Sequence, residues 1–98
     1  MVQIKWLKSA KNDLKSIYDF ISLDSQKYAQ LQIYRLIDGV NIIKTTPFIG
    51  KKVIEINDNN IREIVVGNYR IIYKVLSKQL IHILMVHHGA RSLKKRLK

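Results

Sequence analysis

The stretch from Ile61 to Arg91 constrains the fold of this chain more than any other. It reads Ile61-Arg62-Glu63-Ile64-Val65-Val66, then Gly67-Asn68, then Tyr69-Arg70-Ile71-Ile72-Tyr73-Lys74-Val75-Leu76. After a short turn come Leu80-Ile81-His82-Ile83-Leu84-Met85-Val86 and His87-His88-Gly89-Ala90-Arg91. Runs rich in β-branched and aromatic residues, separated by tight turns, predict an antiparallel meander. Gly67-Asn68 suits a two-residue type II′ loop, with glycine where positive φ is required.

A two-residue loop sets the register. Val66 then faces Tyr69, Ile64 faces Ile71 and Arg62 faces Tyr73, all on one side of the sheet, because side chains alternate with period two. That side, extended by Val75, Leu84 and Val86, is the expected core. The other carries Val65, Arg70, Glu63, Ile72, Ile61 and Lys74, with Glu63 diagonal to both Arg70 and Lys74, and is expected to be wetter. Arg62 stands out on the core side, and a packed stem with its head in water would accommodate it.

Charge narrows the function. The net charge is +11 on 98 residues. Residues 1–50 carry seven Lys/Arg against four acids, whereas residues 51–98 carry eleven against three, so the excess lies with the meander and tail. A one-sided basic field favours a polyanionic or acidic partner. The absence of cysteine excludes disulfides, a thiol nucleophile and zinc-thiolate sites. Three histidines lack metal-ligand spacing, the acids are scattered, and there is no glycine-rich phosphate loop, so no metal or cofactor is expected. No apolar run reaches the length of a membrane span and the start lacks a signal-peptide core, which makes the cytoplasm the expected compartment and a membrane role unexpected.

Before the meander, Val2-Gln3-Ile4-Lys5-Trp6 alternates as a half-buried strand should. Leu7, Ala10, Leu14, Ile17, Tyr18 and Ile21 recur at helical spacing after a candidate cap at Ser9, and this helix should stop near Asp24. Ser25 caps a second helix over about Gln26–Lys44, with Ala29, Ile33, Leu36, Ile37, Val40 and Ile43 inward. Gly39 inside it is expected to mark a close helix contact. Thr46-Pro47-Phe48-Ile49-Gly50 is a turn, Lys51–Ile56 a strand, and Asn57–Asn60 a polar turn. The tail, residues 91–98, holds five cations and no acid, as mobile, solvated tails do, although Leu93 and Leu97 could share one side of a short helix. The expected order is β-α-α-β-β-β-β in one domain over residues 1–98: an α+β fold with a helical hairpin on one face of an antiparallel sheet.

The pattern Ala10-x-x-Asp13-Leu14-x-x-Ile17-x-x-Phe20-Ile21, the Pro47-x-x-Gly50 turn, Ile61-Arg62-Glu63, Tyr69-Arg70-Ile71-Ile72-Tyr73 and Val86-His87-His88-Gly89-Ala90-Arg91 together resemble the RelE/ParE superfamily of bacterial type II toxins. The match runs through nearly the whole chain in order. It implies a toxin that arrests growth and is neutralised by a cognate antitoxin encoded beside it. RelE-like members cut messenger RNA on the ribosome; ParE-like members poison DNA gyrase without cutting nucleic acid themselves.

RNA cleavage by the 2′-OH needs a base, an acid and cations around the phosphate. If the chain is RelE-like, Arg62 and Arg91 match the strand arginine and the arginine after the last strand that the resemblance implies, and His87 and His88 are the candidate acid/base pair. His87 and His88, adjacent at a strand end, point to opposite sides. No tyrosine follows Tyr73, where RelE-like enzymes tend to carry a catalytic one, so the ending His88-Gly89-Ala90-Arg91 looks more like the ParE and plasmid-stabilisation branch. Target or nucleic-acid contact falls to Lys51, Lys52, Arg62, Arg70, Arg91, Lys94, Lys95 and Arg96. An even second turn would place Ile72, Ile81, Ile83 and Met85 on the outer side beside Arg70, as a landing surface for an acidic antitoxin segment. The expectation is thus a ParE-like inhibitor of gyrase. A RelE-like endoribonuclease acting on ribosome-bound mRNA is the alternative, and a non-toxic basic nucleic-acid-binding domain the third. His82, mid-strand, is expected to be packed.

Overall fold

A computed structural model describes residues 2–97. Its elements run β1 (Gln3–Trp6), α1 (Lys8–Ser22), α2 (Gln26–Gly39), α3 (Ile42–Thr45), β2 (Lys51–Lys52), β3 (Ile61–Val66), β4 (Tyr69–Ser77), β5 (Leu80–His88) and α4 (Leu93–Arg96). One five-stranded sheet has the order β1-β5-β4-β3-β2. The meander is antiparallel, but β1 lies parallel to β5, so the sheet is mixed. Only a crossover through the helical hairpin can bring β1 back beside the last strand in this orientation.

The first hairpin has the expected register, Val66 opposite Tyr69, Ile64 opposite Ile71 and Arg62 opposite Tyr73. Gly67 sits at φ +60, as a type II′ loop requires, and among the described residues no non-glycine takes positive φ. Helices α1 and α2 cover this side. Leu36, Ile43, Ile71, Tyr73, Ile81 and Ile83 are fully buried there, with Ala10 beneath α1. Gly39 permits the close approach of α2, because a β-carbon on it would stand 2.7 Å from Val66 Cγ2. The contact is with the sheet.

The second hairpin departs from expectation although its loop is even, with Ser77 opposite Leu80. Leu76 is an extra residue on β4, so Val75 rather than Leu76 faces Ile81. A bulge of this kind flips every side chain beyond it. Ile81 and Ile83 therefore lie in the main core and are fully buried. Leu84 is a second extra residue, between Ile83 opposite Tyr73 and Met85 opposite Ile72, and restores the original parity for Val86. Leu84, expected in the main core, packs with Met85 on the outer side instead.

That outer side is not simply wet. Val53, Ile72 and Leu93 are buried together, flanked by Ile56, Ile61, Leu84 and Met85. Val53 reaches this cluster because the chain leaves the sheet after Lys52, which is why the expected strand to Ile56 is only two residues long. Burying a leucine such as Leu93 stabilises the docked state by about 2 kcal/mol, enough to hold the tail down. Ser92 caps α4 by accepting from Lys95 N. The tail is thus packed through Arg96, where a solvated segment was expected; Lys98 lies outside the described residues.

Three helical details also differ. Leu7, not Ser9, is the N-cap residue of α1, and Ser9 lies within the helix. The second helix ends at Gly39, and Val40 and Asn41 separate it from α3. Ile37, expected inward, is 45% exposed. Ser25 does cap α2, accepting from Tyr28 N at 3.1 Å. No helix among the described residues is long and apolar enough to cross a membrane.

Candidate functional site

Beyond Ile83, β5 outruns β1, and its backbone edge would stand open. The chain closes it with a backbone amide and side chains. Leu7 N donates to Ile83 O at 3.0 Å, and the Ser9 hydroxyl donates to the carbonyl of bulged Leu84. Asp13, one helical turn beyond Ser9, accepts from Val86 N at 2.8 Å. Arg96 from α4 donates to both Asp13 oxygens, at 2.8 and 2.6 Å, and to Val86 O at 3.4 Å. Sequence, helix face and tail thereby meet at one end of the sheet.

These contacts frame a cleft of about 700 Å³ between α1 and the end of β5, lined by Asp13, Ser16, Ile17, Phe20, Tyr69, Val86, His87, His88, Arg91, Ser92, Lys95 and Arg96. His88 stands on the helix side, edge-on to Tyr69 with ring centroids 5.3 Å apart, and its Nδ1 accepts from Ala90 N at 3.1 Å. His87 points to the outer side and is buried. Its Nε2 donates to Arg91 O at 2.9 Å while Nδ1 accepts from Arg96 Nη1 at 3.4 Å, contacts that suit the neutral, Nε2-protonated ring. Burial pushes the Tyr69 phenol up, so this hydroxyl stays protonated at neutral pH and is no base.

Of the residues singled out in the sequence, His87, His88, Arg91, Lys95 and Arg96 share this cleft. Lys94 is exposed on α4 but does not line it. Arg62 stands apart. Its Nε donates to Asn59 O at 2.9 Å, Nη1 to Gly50 O at 3.3 Å, and its guanidinium lies over the Phe48 ring, 5.1 Å from the centroid. Four residue steps along the strands and two strands across separate it from His88, an α-carbon distance of roughly 16 Å on ideal spacings. Lys51 and Lys52 are exposed on the far edge strand.

Arg70 is also occupied. Glu55 accepts from it at 3.0 and 2.9 Å and Glu63 at 3.0 Å, and Glu63 is buried. The bonds from Arg70 hold the Glu55 carboxyl at about 2 and push the guanidinium further up. Lys74, expected near Glu63, pairs with Asp58 at 3.7 Å. The proposed antitoxin surface of Arg70, Ile72, Ile81, Ile83 and Met85 is therefore not assembled. The first bulge sends Ile81 and Ile83 into the main core, the chain's own Val53 and Leu93 cover Ile72, and Met85 is half-buried in the same cluster. His82 is half-buried on the outer side, between the registers of Lys5 and Lys74.

Asp13, Tyr69 and Phe20 are cleft residues that reading for cations and histidines missed. The signal was present, since Asp13 sits inside the helix-one pattern as an acid off the apolar stripe. No group of His, Cys, Asp and Glu among the described residues is arranged to hold a metal ion.

The family model for the ParE toxin of the type II toxin–antitoxin system parDE matches residues 4–93. The chain belongs to this family. It is thus the toxin component of a type II module, whose partner is a cognate antitoxin. A solved structure of the chromosomal ParDE TA system from P. aeruginosa contains a similar chain, with a TM-score of 0.74 at 21% identity, covering 90% of this toxin and 96% of that chain. At that identity the likeness is one of fold. No curated protein sequence matches the toxin.

Proposed function

We propose that this toxin arrests growth as a cytoplasmic inhibitor of DNA gyrase, acting through protein contact at the cleft between α1 and the end of β5, and that it does not cleave RNA. The observation that carries this reading is the position of Arg62. A phosphoryl-transfer site needs its cations around one phosphate, with base and acid within hydrogen-bond reach. Here Arg62 is tied to Asn59 and Gly50 and lies roughly 16 Å from His88 on ideal strand spacings. His87 spends both ring nitrogens on the tail. Arg91, Lys95 and His88 remain as a basic, partly aromatic surface suited to an acidic protein or to DNA held by one.

The test pairs two assays on the purified full chain. Gyrase supercoiling should be inhibited and DNA-damage signalling induced in arrested cells, while mRNA on stalled ribosomes stays intact. Ribosome-dependent cleavage that His88→Ala abolishes, in a variant that still folds, would overturn the proposal in favour of the endoribonuclease.

A further inference from the structure

At the far end of β4 from Tyr69, a pocket of about 590 Å³ opens between α3, the Pro47–Gly50 turn and the turn joining β4 to β5. Its apolar wall is Val2, Pro47, Phe48, Val75 and Leu76. Its volume falls in the range of small-molecule sites, roughly 300–1,000 Å³. The wall is built in advance. Tyr73 Oη donates to Pro47 O at 2.7 Å and accepts from Gly50 N at 3.0 Å, which fixes the turn carrying Phe48. The Arg62 guanidinium covers one face of the Phe48 ring, 5.1 Å from its centroid, yet the side chain is still 49% exposed. The bulge on β4 brings Leu76 to the same wall, and Val75 N donates to Asn60 O at 2.9 Å, tying this strand to the start of β3. Half-exposed apolar side chains held in a preformed hollow are what an apolar ligand covers on binding.

Donors dominate the polar groups around this wall. Lys44 and Lys78 both line the pocket and form no ion pair among the described residues. Ser77 Oγ accepts from Gln79 N at 3.1 Å and keeps its own proton to donate. The Thr45 hydroxyl is spent on Ile42 O. No Asp or Glu lines the pocket. Asp58, two residues before Asn60, accepts from Asn60 N at 2.8 Å and pairs with Lys74 at 3.7 Å. Unpaired cations beside an apolar wall select a ligand with an apolar body and one acidic head, because a charge-assisted hydrogen bond is about twice as strong as a neutral one. We propose that this pocket binds a small aromatic carboxylate, its ring against Phe48 and Leu76 and its carboxylate held by Lys44 and Lys78. The pocket shares no residue with the cleft at His88, so the inference stands apart from the gyrase reading.

The test titrates 2-naphthoate, and separately the neutral 2-naphthamide, into the isotope-labelled full-length toxin while backbone amide shifts are followed. Saturable shifts from 2-naphthoate should centre on Thr45, Phe48, Asn60, Leu76 and Ser77, and the neutral analogue should bind about tenfold more weakly, the loss of roughly one charge-assisted contact. Lys78→Glu, at an exposed turn position, should weaken 2-naphthoate by about tenfold or more and leave 2-naphthamide nearly unchanged. Its amide spectrum away from residues 76–80 should match that of the unmodified toxin, which separates a lost contact from a lost fold. The absence of saturable shifts at millimolar 2-naphthoate overturns the site. Equal affinity for the two probes, or shifts centred on His88 and Arg91 instead, overturns it as well.

Discussion

Replacing Tyr73 by phenylalanine removes one oxygen atom from the centre of the molecule. The side chain is fully buried, its hydroxyl donating to Pro47 O at 2.7 Å and accepting from Gly50 N at 3.0 Å. Burial pushes the phenol up, which keeps the donated proton in place. In Tyr73→Phe the ring still fills its space, so the loss is polar. Gly50 is buried, and its orphaned N–H costs about 2 kcal/mol, while the lost bond to half-buried Pro47 costs about 1 kcal/mol more. The expected destabilisation is about 3 kcal/mol, or about 15 °C in Tm for a domain of this size. Urea unfolding at 25 °C with unchanged m-value reads it directly. A loss below about 0.5 kcal/mol, within ordinary surface-substitution effects, would refute the claim that this hydroxyl pins the Pro47–Gly50 turn. Gly50→Ala sharpens the test. A β-carbon there would lie 2.6 Å from both Tyr73 Oη and Glu63 O, so its cost should be smaller in the Tyr73→Phe background than alone.

Two other perturbations follow from the ion pairs. Arg70 holds the folded Glu55 carboxyl at about 2, against its ordinary value of 4.5; a lowered pKa contributes stability that is complete above pH 4.5 and lost as pH falls toward 2. Chemical-denaturation midpoints should therefore drop across that window, and Glu55→Gln should flatten the slope; an unchanged slope would mean the pair does not form in solution. Asp13→Ala strands Val86 N and frees Arg96, so it should cost about 2 kcal/mol, with Asp13→Asn recovering about half because its carbonyl still accepts from Val86. Amide exchange over residues 92–97 should speed up in Asp13→Ala, and an unchanged rate would show that Leu93 alone holds the tail.

The first hairpin was legible because one glycine at positive φ sets a register that the alternation of Ile64, Val66, Tyr69, Ile71 and Tyr73 independently requires. The last strand was not, because Leu80 to Met85 is apolar on both faces and any parity looks acceptable. Nothing in Leu76 or Leu84 announces a bulge. At Leu84 the partner is tertiary: the bulged carbonyl accepts from Ser9, just beyond the parallel strand β1, which no local pattern encodes. The same holds for the tail. Five cations in eight residues read as solvated, yet one leucine and one arginine with a distant aspartate suffice to dock it. At the candidate site the cationic residues were visible as types, but Asp13, which organises them, was separable from an ordinary surface acid only through the family pattern.

The docked tail also alters what the charge can do. All three acids of residues 51–98 are engaged internally, Glu55 and Glu63 by Arg70 and Asp58 by Lys74. Asp13 is engaged by Arg96. The remaining cations of that half, Lys51, Lys52, Arg62, Lys78, Arg91, Lys94 and Lys95, form no ion pair among the described residues, so their field has no counter-charge within the sheet. Such a field accelerates encounter with any acidic partner and is screened over about 8 Å at physiological salt, so it cannot by itself distinguish a neutralising partner from a target. Discrimination must come from short-range surfaces. The molecule offers two of different character: a groove along the open edge of β1, and a basic aromatic cleft where β5 runs on beyond β1. A neutraliser that engages the first and a target that engages the second would not compete for the same contacts. Mutual exclusion would then require the neutraliser to reach beyond the edge strand, or to alter the α1–β5 contacts through Ser9 and Asp13.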